Sequence, residues 1–159
     1  MFSPTLYFRR ECVCTGDASE EQLTHLQTDH YRKMATSYSF RDSEVYQRAQ
    51  VQSQYICEWS RQLPEEEQPS LGAPIREAAG AVATLIAEAW GARHCEQTFQ
   101  ETLAKAHAKA KKTQGLLDRA WMHSYLGDEQ HRLFDEAWAR ICTLLRRIMR
   151  CTHSFCHLN

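Results

Sequence analysis

The sequence predicts an all-α protein, an antiparallel up-down four-helix bundle preceded by a short N-terminal helical extension. Three observations predict it. Apolar residues recur at three- and four-residue steps in four separate stretches, which puts each set on one helical face. The 159 residues hold 6 Gly and 4 Pro, most of them outside those stretches, and the stretches are rich in Ala, Leu, Glu, Gln, Lys and Arg, the best helix formers. The connections are short, so consecutive helices must lie side by side in opposite directions. The length suits one domain with a sizeable core. We divide it into an N-terminal extension over residues 1–39, a bundle over 40–151 and a C-terminal tail over 152–159.

Residues 1–17 show no clear period and are expected to form a loosely ordered tail. Ser19 to Gln22 resembles a capping box, opening a short helix to about Lys33 whose stripe of Leu23, Leu26 and Tyr31 is weak. Met34 is a plausible internal start. The first strong helix should begin near Asp42, an apt N-cap, and run to about Leu63 with Val45, Ala49, Ile56, Trp59 and Leu63 inward. Residues 64–73, with two Pro, a Gly and three consecutive Glu, read as a loop that forbids a continuous helix.

The central stretch, Pro74 to Trp90, organises the rest. Ile75, Ala78, Ala79, Val82, Leu85, Ile86 and Ala89 share one face, and the opposite face is mostly Ala and Gly with Arg76, Glu77, Thr84 and Glu88. Both sides can approach neighbours closely. After a break to His94, Cys95 to Tyr125 reads as one long helix with Phe99, Leu103, Ala106, Ala110, Leu117, Ala120 and Trp121 inward. Gly127 should take the left-handed position that ends it, and Asp128 should cap the last helix. That helix, about Glu129 to Cys151, turns Phe134, Ala137, Trp138, Ile141, Leu144, Leu145 and Ile148 inward.

Nineteen basic against twenty acidic residues give a net charge of −1, so bulk charge does not point to nucleic acid and any polyanion site must be a local patch. Two patches qualify. Lys105, Lys109, Lys111, Lys112 and Arg119, joined by His107, lie on adjoining faces of the third helix, as contact with a phosphate backbone requires; the dull alternative is an ordinary solvated face partly neutralised by Glu96, Glu101 and Asp118. Arg140, Arg146, Arg147 and Arg150 form a second group, which also complements the helix dipole.

Seven Cys is an odd number with no export signal visible, which favours reduced thiols. Cys151, His153, Cys156 and His157, with Cys12 and Cys14, invite a zinc reading, but the spacing fits no common tetrahedral pattern, and no metal or other cofactor is expected. Cys57, Cys95 and Cys142 read as packing residues. Glu88 has no partner acid or His at helical spacing except Glu77, three turns away, so it is expected to pair with Arg76 or Arg93. No nucleophile elbow, triad or phosphate loop is present in the sequence, and the expectation is a protein without enzymatic activity. No apolar run nears the roughly 20 residues that span a bilayer, so a cytoplasmic protein without a membrane partner is expected.

From Phe40 to about Met149 the chain resembles the bacterial four-helix bundle family first known from ribosomal RNA intervening sequences, related to the accessory variability determinant of diversity-generating retroelements. The resemblance rests on Phe40, Asp42 and Tyr46, Leu63-Pro64 with Glu67 and Leu71, and Ile75-Arg76 with Ala78-Ala79. It continues through Val82, Ile86-Ala87-Glu88, Arg93, Phe99, Leu103, Ala106 and Tyr125-Leu126. It implies an up-down bundle assembling as a ring-like homopentamer with no attributed enzymatic activity; the retroelement relative binds RNA together with a reverse transcriptase. On that footing the central helix is expected to meet a second copy through Ile75, Arg76, Ala79, Val82, Ile86, Glu88 and Trp90. Departures include Pro74 and Glu77 where the family carries Gln and Arg, Leu85 and Ala89 where it carries Asn and Gly, and Ala108-Lys109 and Lys112 where it carries Gly-Ser and Glu.

The functional expectation is therefore a non-catalytic homo-oligomeric scaffold that binds structured RNA or an RNA–protein partner such as a reverse transcriptase. The alternative is a protein–protein adaptor with no nucleic-acid role.

Overall fold

The computed structural model describes residues 39–156. The expected extension with its helix from Ser19 to Lys33, the start at Met34, and residues 157–159 lie outside them. Among the described residues there are four long helices and no strand: α1 (Glu44–Ser60), α2 (Ala73–Gly91), α3 (Glu96–Met122) and α4 (Asp128–Arg150), with a short α5 (Thr152–Cys156) after them. Each long helix packs on its neighbours in sequence, and α1 meets α4 through the least extensive seam. The result is an all-α four-helix bundle.

The helical stripes read from the sequence are the core. Val45, Ala49, Ile56, Trp59 and Leu63 are buried from the first, and Ile75, Ala78, Ala79, Val82, Ala83, Ile86 and Ala89 from α2. Alanine on α2 lets larger partners from elsewhere, such as Phe99 and Trp138, enter the space between helices, and both are fully enclosed. Trp138 Nε1 finds no hydrogen-bond partner among the described residues. That omission costs on the order of 1–3 kcal/mol, and burial of the large indole offsets it.

Four expectations about the ends of elements are corrected. Asp42 does not cap α1: Ser39 and Asp42 form a capping box around a 3-10 turn, Phe40–Asp42, and Ser43 stands at the N-cap of α1. Residues 64–73 are not an open loop. A 3-10 turn, Glu65–Glu67, runs directly into a wide π turn, Gln68–Gly72, and on into α2. Proline forbids interior α-helix but is harmless at the first positions of a turn, where its missing N–H has no partner to lose.

The wide turn folds Gln68 beneath the chain. Its Nε2 donates to the carbonyls of Ser60 (2.9 Å) and Leu63 (3.0 Å), while its Oε1 accepts from an Arg76 guanidinium nitrogen at 3.0 Å. Arg76 also donates to Ser60 Oγ at 3.0 Å. A β-carbon at Gly72 would sit 2.5 Å from Gln68 Oε1 and 3.2 Å from Arg76, so a side chain there would displace the Gln68 amide from this knot.

The turn between α3 and α4 differs as well. Gly127 has φ −74° and is extended, standing at the N-cap of α4, and Asp128 is the first helical residue. The left-handed position falls on Ser124 instead, at φ 60°. Ser124 N–H bonds Trp121 O at 2.8 Å and Tyr125 N–H bonds Ala120 O at 2.9 Å, the pair of bonds that closes a helix through a left-handed residue. Ending α3 there leaves room for Leu126 to turn back into the core, where it is 3% exposed. Trp121, expected inside, is 44% exposed; its indole donates to Asp128 at 2.7 Å and stacks on His131, strapping the turn from outside.

Candidate nucleic-acid interface

At 3.6 residues per turn, the cations of α3 fall into two rows. Lys105, Lys109, Lys112 and Arg119 form one, and His107 and Lys111, followed by Gln114 and Asp118, form the other. The first row borders α2. Lys109 Nζ lies 3.0 Å from Glu77 of α2, and Arg119 lies 4.0 Å from Glu67 in the turn before it. Both acids respond: the Lys109 hydrogen bond and charge lower the Glu77 pKa, and the Ser70 hydroxyl followed by the Arg119 charge lowers that of Glu67. Neutralisation thus comes from across the bundle. The acids expected to supply it within α3 are engaged elsewhere: Glu101 accepts from Gln97, Asp118 from His131 and Glu96 from Thr152. In this row Lys105 and Lys112 are exposed and make no ion pair among the described residues.

The second row borders α4. Lys111 Nζ donates to Gln114 Oε1 at 2.9 Å, and Gln114 Nε2 donates to Asp135 Oδ1 at 2.6 Å. Gln114, 9% exposed, therefore links the lysine to an acid of α4. Arg146 comes over from α4 to the same seam. Burial first, then the charges of Arg146 and Lys111, push the His107 imidazole below its ordinary pKa, and its buried Nε2 has no hydrogen-bond partner among the described residues. Numbers that rise along α3 meet numbers that fall along α4: Gln114 meets both Asp135 and the Cys142 thiol, and Asp118 meets His131.

The second basic group divides too. Arg140 lies 3.5 Å from Glu44, which also takes Arg48 at 2.7 Å, so it belongs to the α1–α4 seam. Arg147 and Arg150 are exposed in the last turn of α4, where their charge suits the helix dipole.

The expected contact surface for a second copy also divides. Ile75, Ala79 and Val82 are fully buried and Ile86 is 2% exposed, all within the protomer's own core, so this packing leaves them no surface to offer. Arg76 is tied to Ser60 and Gln68 rather than to Glu88. Arg93 places its guanidinium 5.3 Å from the Trp90 ring centre. Trp90 is half-buried, and Glu88 lies on the outer row of α2 with Glu77, Gly80 and Thr84, all exposed.

Among the described residues no three His, Cys, Asp or Glu gather as a metal ion requires; Cys12, Cys14 and His157 lie outside them. Cys142 is buried and Cys57 half-buried, but Cys95 is exposed at the N-cap of α3, not inside it. The Thr98 hydroxyl donates to its sulfur at 3.2 Å, and that bond leads the lowering of its thiol pKa. Sequence reading missed Glu77, Glu67 and Gln114 as the groups that decide which cations are free. Lys109 and Glu77 are 32 positions apart, and no local spacing signals such a pair.

A family model described as 23S rRNA-intervening sequence protein matches residues 41–154. The chain belongs to that family. No curated protein and no solved structure matches it. The match to the 23S rRNA-intervening sequence family takes in all four long helices, and so both cationic rows and the whole outer row of α2.

Proposed function

We propose that this protein is a non-catalytic, cytoplasmic homo-oligomeric scaffold that binds structured RNA, alone or with an RNA–protein partner such as a reverse transcriptase. The observation that carries the reading is the α3–α4 seam, where Lys111 and Arg146 crowd His107 and the neutral amide of Gln114 links the lysine to Asp135. Lys105, Lys112, Arg147 and Arg150 extend that charge over neighbouring surface. The family's description, which names 23S rRNA intervening sequences, supports RNA as the polyanion. An antiparallel up-down order and a pentameric ring complete the proposal. The outer row of α2, with Gly80 and Thr84 between Glu77 and Glu88, supports close approach of a copy, and repetition of the seam around a ring multiplies the local field.

A structured RNA should shift the protein in a binding assay, with affinity falling steeply as salt rises. Charge reversal of Lys105, Lys111, Lys112 and Arg146 to Glu should abolish the shift. Binding that survives the fourfold change overturns the reading. Sedimentation of a stable monomer would remove the ring and the multiplied field. One observation favours the adaptor reading: Val51 and Tyr55, a turn apart on α1, are about half exposed, at 49% and 51%. A partner lost on Tyr55→Glu, with RNA absent throughout, would favour that reading instead.

A further inference from the structure

Beyond the seam, a cleft of about 440 Å³ opens where α2 ends, α5 crosses and the turn at Phe40 closes the other side. Its walls carry three aromatic rings, Phe40, Trp90 and Phe155, and two groups of basic character, Arg93 and His94. Trp90 and Phe155 meet edge to face with centres 6.0 Å apart, and Phe99 behind them braces Phe155 at 6.1 Å. The Arg93 guanidinium rides 5.3 Å from the Trp90 ring centre, and Arg41 rides 4.6 Å from that of Phe40. Among the described residues neither guanidinium makes an ion pair and no carboxylate lines the cleft.

Each feature narrows the ligand. A volume of this size holds a small planar group with its substituents. Ring faces and a guanidinium plane suit a flat aromatic ligand, since both stack on π systems. The Arg93 guanidinium at the wall, which makes no ion pair among the described residues, suits a ligand that also carries negative charge. An acyl chain would leave the guanidinium unused, and a simple anion would leave the rings unused. A nucleobase flanked by phosphate uses both.

We propose that this cleft seats one unpaired base of a bound RNA, stacked among Trp90, Phe155 and Phe40, with the adjoining phosphate on Arg93. The inference rests on the RNA reading above and adds that single-stranded or bulged nucleotides, not duplex alone, are selected. α3 begins beside the cleft and carries His107 and Lys111 roughly 15–25 Å further along its axis, so one strand can run from seam to cleft.

The test uses the full chain and a hairpin with one bulged adenosine, against the same hairpin with that nucleotide abasic. The intact protein should bind the abasic hairpin about tenfold more weakly. Phe155→Ala should bring the bulged hairpin down to about the level the intact protein shows for the abasic one, and Arg93→Gln, which removes a phosphate contact that both hairpins share, should weaken both, the bulged hairpin more. If the intact protein binds both hairpins equally and salt still weakens both, the cleft inference falls and the RNA reading stands. If neither hairpin binds at low salt, both fall. Should Phe155→Ala fail to fold, a 5-iodouridine placed at the bulge decides: photo-crosslinking to Phe40, Trp90 or Phe155 supports the site, and crosslinks confined to other residues overturn it.

Discussion

Lys109 and Lys111 stand two positions apart on one helix, yet the first faces a carboxylate and the second a neutral amide. Toward α2, Lys109 and Arg119 find Glu77 and Glu67. Toward α4, Lys111 finds the neutral amide of Gln114 and shares its surroundings with Arg146 and His107. The same residue type is thus a tie between helices on one flank and an unbalanced charge on the other. What separates them is the element packed opposite, so a count of lysines along a helix cannot predict a binding face.

The largest expected effect tests the contrast directly. Lys111→Gln, Arg146→Gln and Arg147→Gln together should weaken RNA binding about 100-fold at low salt. They should also flatten the salt dependence by roughly 0.7–0.9 for each phosphate left without its cation. Lys109→Gln with Arg119→Gln should weaken binding less than about fivefold, because those cations are already engaged. Equal losses from the two sets, read by titration at several salt concentrations, would erase the distinction.

Gln114→Leu sharpens it from the other side. Asp135 would lose the amide that holds it, at a cost of about 2 kcal/mol, seen as a melting temperature lower by roughly 4–8 °C in calorimetry. No change in melting would mean that the bridge holds nothing.

A smaller effect is expected from acid. The folded protein keeps His107 below the ordinary histidine value, while the unfolded chain takes its proton near 6.5. Stability should therefore be complete above that value and decline as pH falls through it toward the folded value. Arg146 and Lys111 face the ring, with Asp135 beyond Gln114. Between about pH 7.5 and 5.5 the melting temperature should drop further in the intact protein than in His107→Gln; parallel curves would count against it. The smallest effect concerns Lys109 and Glu77, whose side chains are 34% and 66% exposed. A double-mutant cycle should give a coupling below about 1 kcal/mol.

Helix positions and core were legible because burial repeats with the helix: the buried residues of α2 follow the spacing visible in the chain, with Leu85 only partly covered. The ends were less legible. A left-handed Ser124 beside an available Gly127 reflects the pull of Leu126 into the core, which no turn propensity contains. The cations of the candidate interface could be named from the chain as types and positions. Which of them are free was not, because that depends on Glu67, Glu77 and Gln114 arriving from distant sequence.

The knot of Ser60, Gln68, Gly72 and Arg76 has a practical consequence for handling the protein. Glu65, Glu66 and Glu67 look like an ideal target for a glutamyl-specific protease, but the chain there is wound in helical turns pinned to the end of α1. A protease must draw its substrate out straight, so cleavage at these bonds should wait on breaking the knot. Gly72→Ala, which crowds Gln68 and Arg76, should turn a digestion-resistant segment into the first place cut among the described residues.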